Sequence, residues 1–334
     1  ALWNYGLQRL SAEYFRWVEE AFDRLSFDSH ALLPDLHGIA ALGAWLRGDL
    51  GKCMRACEAA FDAEQRLGTG VTLPARMAIT FATAYAPRIG DPALRPIELQ
   101  APGRFLEIVA WSRQLGDPYW LVFSMDSGSL GMVISGQHER AATLAGRALR
   151  TAHQSGSPTA ISHALFSVAT AVEHSDPERA EAALEASVSE ARDVDSPLVL
   201  GLSMSRLATL RRRLDRPQAA VPLLLELLDH WDRLGDRPQL WHTIRESAMC
   251  LGLLGEHDTA VRLMSSAEQA ELVMPPLPID SAHASDLRES LRVRLGEHGF
   301  TAAELSGAGL TREEAVVLAT RSLAASRAAA TTTV

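Results

Sequence analysis

Seven prolines recur along the chain at a nearly constant interval. Pro34, Pro74, Pro118, Pro158, Pro197, Pro238 and Pro278 are separated by 40, 44, 40, 39, 41 and 40 residues. Their surroundings match as well, in "LGDPYW", "SGSPTA", "VDSPLV" and "LGDRPQL". Each has a small or polar residue just before the proline and an apolar run after it. Proline fits the first turn of a helix, where its missing N–H would have had no partner. A second punctuation mark falls halfway along, in "RGDLGKCMRA", "SGQHERAATL", "HSDPERAEAAL", "LDRPQAAVPL" and "LGEHDTAVRL". Turn residues there lead into a helix whose opening alanine is Ala56, Ala141, Ala180, Ala220 or Ala260. A fixed period of this length marks a repeated helical hairpin, and one hairpin cannot bury its own apolar face.

Composition agrees. Apolar residues make up 47% of the chain and aromatics only 6%, with Ala and Leu abundant. These are strong helix formers, and Val and Ile occur without the period-2 alternation of half-buried strands. Twelve residues before each alanine stand Ala44, Ser129, Val168, Ala208 and Ala248, and seven after it Ala63, Ala148, Ser187, Leu227 and Ala267. Mostly small residues at both places let two antiparallel helices cross closely. This skeleton resembles that of tetratricopeptide (TPR) repeats, whose usual period is about 34. We therefore expect an all-α, TPR-like helical-hairpin solenoid, a right-handed superhelix of about seven repeats. It forms one domain over residues 1–323. An irregular loop over 86–102 carries four prolines and absorbs the 44-residue spacing.

Chemistry is sparse. There is no GxxxxGK[ST], GxGxxG, HExxH or CxxC, and "SGSLG" (Ser127–Gly131) lacks the glycine that opens a nucleophile elbow. We expect no catalysis, no cofactor and no metal in this segment. Cys53 and Cys57 share a helix face and read as buried small hydrophobes. His153, His174, His257 and His298 fall near turns and helix ends. "RRRLD" (Arg211–Asp215) closes a helix, where the helix dipole favours cations. A net charge of −9 opposes nucleic-acid binding. No apolar run reaches the roughly 20 residues of a membrane span. Three cysteines and no disulfide framework fit a cytoplasmic protein.

In a TPR-like superhelix the first helix of each hairpin lines the concave wall. Inward positions lie six and three residues before the crossing residue, and one and four after it. The rule selects Gly38, which has no side chain, and Trp45, then Phe123, Asp126, Ser162, Ser205, Arg212, His242 and Arg245. Aromatic, hydroxyl and charged groups so placed suit a recognition groove for a protein or peptide partner, a small-molecule inducer, or both.

Both ends carry a further pattern. "ALWNYGLQRLSAEYFRWVEEAF" is similar, in Leu2-Trp3, Tyr5 and Trp17–Phe22, to the entry of the helical array in bacterial, often actinobacterial, STAND-type signal-transduction ATPase regulators. "LGEHGFTAAELSGAGLTREEAVVLA" resembles the end of that array in Leu295, Gly296, Phe300, Leu310, Thr311, Glu313, Glu314, Ala315 and Val316. Glu304-Leu305 stands where the family has Ala-Trp. The resemblance implies a sensor arm of an ATP-dependent regulator, with the ATPase domain upstream in the same polypeptide. Some relatives add a LuxR-type DNA-binding domain after the array; others carry an activator or adenylate cyclase domain before it. The first residue falls in mid-helix and is not Met, so we expect a piece of a larger protein or a truncated gene product. "GLTREEAVVLATRSL" (Gly309–Leu323) looks like the start of a helix-turn-helix, but only 24 residues remain from Thr311, against about 60 for such a domain. We read it as a closing helix over 311–323, with Thr311 as N-cap and Glu314 as its capping-box partner. A disordered tail over 324–334 would follow. The rival readings are a structural scaffold that assembles partner proteins without sensing a small molecule, and a degenerate enzyme subunit.

Overall fold

The computed structural model describes residues 12–24, 29–69, 72–79, 101–270 and 278–332. The loop expected over 86–102 lies outside them except at Ala101 and Pro102, which open a helix. So do Leu2, Trp3 and Tyr5. The helices are α1 (Ala12–Arg24), α2 (Leu33–Leu46), α3 (Leu50–Leu67), α4 (Ala101–Leu115), α5 (Pro118–Ile134), α6 (His138–Ser155), α7 (Pro158–Val172), α8 (Pro177–Asp193), α9 (Pro197–Arg213), α10 (Pro217–Leu234), α11 (Arg237–Leu253), α12 (His257–Gln269), α13 (Pro278–Ala308) and α14 (Arg312–Thr332). A further helical stretch covers 73–79. Among the described residues there is no strand. The fold is all-α and built of TPR-like hairpins.

The periodic residues act as stops and starts. Residues with left-handed backbone occur at Gly48 and Gly68, at Gly116, Gly136 and Gly156, and at Asp195, Asp215, Gly235 and Gly255, within each run 20 residues apart. Each ends a helix, and glycine takes this conformation without steric cost. The next helix is then capped. Asp49, Asp117, Ser157, Asp176 and Asp236 each accept a backbone N–H from its first turn. The small or polar residue before the prolines is thus an N-cap.

The chain divides into two compact units, one through Leu200 and one from Gly201, with the boundary inside α9. In the first, α2 pairs with α3, α5 with α6 and α7 with α8, and α6 also packs on α7. Val122 and Met125 of α5, Leu144, Ala148 and Ala152 of α6, and Ala160 and Ala164 of α7 share one core. In the second, α10 packs on α11, α11 on α12, and α12 on α13. Gly201 stands against the buried Trp231, whose ring leaves no room for a Cβ at that position. Helix α13 breaks at Gly296 (φ 68, ψ 162).

The crossing alanines Ala141, Ala180, Ala220 and Ala260 have no exposed surface. The first repeat departs from the expected register. Ala56 is half-buried, whereas Cys53 is fully buried. Cys53 is also the residue four after the N-cap Asp49, as Ala141 is four after Gln137. The crossing position on its first helix is therefore Ala41 rather than Ala44.

At the C-terminus, Thr311 N–H and Oγ1 both donate to Glu314 Oε2 (2.8 and 2.9 Å), and Glu314 N–H donates to Thr311 Oγ1 (3.2 Å). The capping box forms as expected. The helix does not stop near Leu323 but continues to Thr332. Its run of alanines has high helix propensity, which the expectation of a disordered tail from 324 overlooked. Ala315, Ala319 and Leu323 are fully buried, and α14 packs on α10, α11 and α12.

A Cβ added at Gly235 would meet only open space, so the left-handed backbone alone sets the demand for glycine there. Gly235→Ala should cost about 1 kcal/mol, and Gly235→Asn clearly less, because Asn tolerates this conformation. Denaturant unfolding checks both; equal losses would contradict the assignment.

Candidate functional site

Polar side chains join neighbouring first helices at a repeated spacing. Thr72 Oγ1 donates to Asp35 (2.8 Å), His163 Nε2 pairs with Asp126 Oδ2 (3.1 Å), and Thr209 Oγ1 donates to Glu246 Oε2 (3.0 Å); each pair is 37 residues apart. One repeat less one helical turn gives this interval, so these are rungs between first helices of successive hairpins.

In the first unit the rung is enclosed by aromatics. Phe123 and Tyr119 meet the His163 ring edge-on at 4.9 and 5.8 Å, and Phe166 lies 6.2 Å from it. Asp126 and His163 are buried. Burial, with the Asp126 and Asp117 charges behind it, pushes the Tyr119 phenol well above its ordinary value.

In the second unit three first helices, α9, α11 and α13, converge. Ser205, Thr209 and Arg212 form one stripe of α9. Arg212 Nε donates to Glu246 Oε2 on α11 (3.0 Å), beside the Thr209 bond, and both charged side chains are under 5% exposed. Arg206 reaches Asp280 Oδ2 on α13 (2.7 Å), and Arg213 lies 3.5 Å from Asp280 Oδ1. Arg245 Nη2 is 2.8 Å from His242 Nδ1. Burial favours a neutral Glu246, but the Arg212 guanidinium, then His242 and Arg245, overcome it and hold the carboxyl at about 2. Burial, reinforced by Arg245, lowers His242 to about 4. Burial raises the Cys250 thiol to about 12, which leaves it protonated and no nucleophile.

The residues selected from sequence occupy varied positions. Trp45 is half-buried in the last turn of α2. Phe123 and Asp126 come together at His163. Ser162 is fully buried, and its hydroxyl donates to Thr159 O (2.9 Å) within its own helix. Ser205 and Arg212 are buried, while His242 and Arg245 are half-buried. Five of these eight are thus packed between helices rather than set on an open wall. His163, Glu246, Asp280, Arg206 and Tyr119 were not selected. The 37-residue spacing would have found His163 and Glu246. Arg212 and Arg213, read as helix-dipole cations, are also ion-paired. Cys53 and Cys57 are buried, and Cys57 Sγ donates to Ala75 O (3.5 Å).

No family model matches the sequence, and no curated protein matches it. Among solved structures the chain is similar in fold to a Rap protein in a crystal structure with competence and sporulation factor. The TM-score is 0.58 at 11% identity, over 94% of this chain and 81% of that one. This likeness is one of fold: a TPR-like array of helical hairpins.

Glu246→Gln should destabilise the second unit by about 3–5 kcal/mol, because it strands a buried guanidinium. The double variant Arg212→Met/Glu246→Leu should stay within about 2 kcal/mol of the native protein, since apolar residues often replace a buried pair without loss. Urea unfolding followed by tryptophan fluorescence and circular dichroism tests this. A Glu246→Gln protein as stable as the native one would contradict the pairing.

Proposed function

We propose that this chain is a non-catalytic binding arm, the sensor or protein-interaction segment of a STAND-type ATP-dependent regulator. The observation that carries it is the polar cluster on the first helices of the second unit. Arginines, a histidine and hydroxyls are placed there, although the apolar core of a hairpin array needs none of them, and His242 and Arg245 keep part of their surface open. Buried charge is costly to retain, and its concentration at one place favours recognition over scaffolding. The Rap protein of similar fold was crystallised with a factor bound, which supports a partner-binding use of such an array. The terminal patterns around Trp17–Phe22 and Leu295–Val316 support the regulator setting, with an ATPase domain in the same polypeptide.

The mechanism we propose is linkage. An inducer or partner binds one packing of the arm better than another and so biases the ATPase. Differential affinity is all this requires. The scaffold reading differs in one respect: it requires protein partners and no small-molecule response.

Two measurements test the proposal. The isolated chain should hydrolyse no ATP, and hydrolysis that co-purifies with it through successive columns would contradict a non-catalytic arm. A thermal-shift screen of metabolites and peptides should find a stabilising ligand, worth about 2.7 kcal/mol at a hundredfold excess over Kd. No shift with any of them, together with a stoichiometric protein complex, would favour the scaffold. No helix among the described residues is long and apolar enough to cross a membrane, and a cytoplasmic setting is part of the proposal.

A further inference from the structure

The second-unit cluster is unusually rich in hydrogen-bond donors. Arg212 is 3% exposed, its Nε is used by Glu246, and its Nη2 has no partner. Ser205, two turns earlier on the same face, is 7% exposed, and its Oγ also has no partner. Buried polar groups are almost always satisfied, so each exception calls for an explanation. His242 adds a further constraint. A guanidinium can only donate, so the 2.8 Å contact with Arg245 requires His242 Nδ1 to accept. The imidazole is then neutral with its proton on Nε2, where it too is a donor. Of the acceptors nearby, Glu246 Oε2 takes bonds from Arg212 and Thr209 and Asp280 Oδ2 takes one from Arg206, while Asp280 Oδ1, 3.5 Å from Arg213, accepts no hydrogen bond.

We propose that this cluster is a receptor for an oxyanion, a carboxylate or phosphate carried by a small ligand, with Arg212 Nη2 at its floor and His242 and Arg245 at its lip. This deepens the binding-arm reading and rests on it. An oxyanion supplies only acceptors, which is what Arg212 Nη2 and Ser205 Oγ lack. Guanidinium forks bind both anion types in bidentate fashion. Lowered basicity of His242 fits a ring that donates while neutral. The site lies between packed helices of a chain with net charge −9. It therefore suits one compact anionic group, not a nucleic-acid backbone.

The test uses the whole chain with inorganic phosphate and with succinate, against sodium chloride at matched ionic strength. Saturable stabilisation by either, beyond the chloride effect, is expected, and the stronger of the two identifies the ligand class. Arg245→Gln should weaken binding about tenfold or more. The Arg212→Met/Glu246→Leu variant keeps the fold without the guanidinium and should abolish binding. No saturable shift with either anion overturns the site, and so does native-like binding by the double variant. A peptide or protein partner that binds while both anions fail would leave the arm reading intact and remove only the oxyanion site. Anion binding through Arg212, with a full-length protein that never responds to it, would remove the regulator reading and keep the site.

Discussion

How closely two helices of a hairpin can approach governs the rest of this structure. At the crossings the side chains are small and fully buried, as at Ala141, Ala180 and Ala220. Contact there is close enough for a side chain of one helix to bond the backbone of the other. Ser129 Oγ donates to Ala141 O at 3.1 Å, and Ser187 Oγ to Ser162 O at 2.7 Å. A larger residue would force the pair apart, because a packed interior has no room to absorb added volume. Close hairpins then set neighbouring first helices against one another, and only in that arrangement can residues 37 apart form the rungs at Asp126–His163 and Thr209–Glu246.

Much of this was legible because it is written in backbone chemistry. Turn residues between the helices, caps before prolines and the Thr311–Glu314 box are local devices, each with a residue type that the geometry demands. The register of the first repeat was harder to read. An alanine at position 56 imitated the crossing residue, while Cys53, another small apolar side chain, filled it. The end of α14 was missed because Ser326–Ala330 has no apolar periodicity, yet alanine needs none to continue a helix.

The candidate site was legible only in part. An inward-facing rule selected stripes of α5, α9 and α11 but not their depth: Phe123, Asp126, Ser205 and Arg212 are buried. Ser205 and Arg212 lie between helices, because α9 and α13 approach closely enough for Arg206 to reach Asp280. That approach spans 74 residues of sequence, and no local pattern encodes it. Glu246 and Asp280 matter because of what they neutralise, which becomes visible only when the helices are assembled. The same assembly makes sense of "RRRLD": one arginine seals a buried pair, another faces Asp280, and the pair's unused guanidinium nitrogen is what the oxyanion proposal is built on.

The central claim is that the second unit holds a neutral, donor-bearing histidine beside a buried Arg212–Glu246 pair. Nitrogen-15 NMR of His242 across a pH titration tests it most directly. The account predicts the Nε2–H tautomer and titration near pH 4. Because the folded-state value lies below the unfolded one, His242 should contribute stability above the ordinary histidine pKa of about 6.5. That contribution should be lost as pH falls toward 4. A His242 that titrates near 6.5, or carries its proton on Nδ1 at neutral pH, would contradict the account.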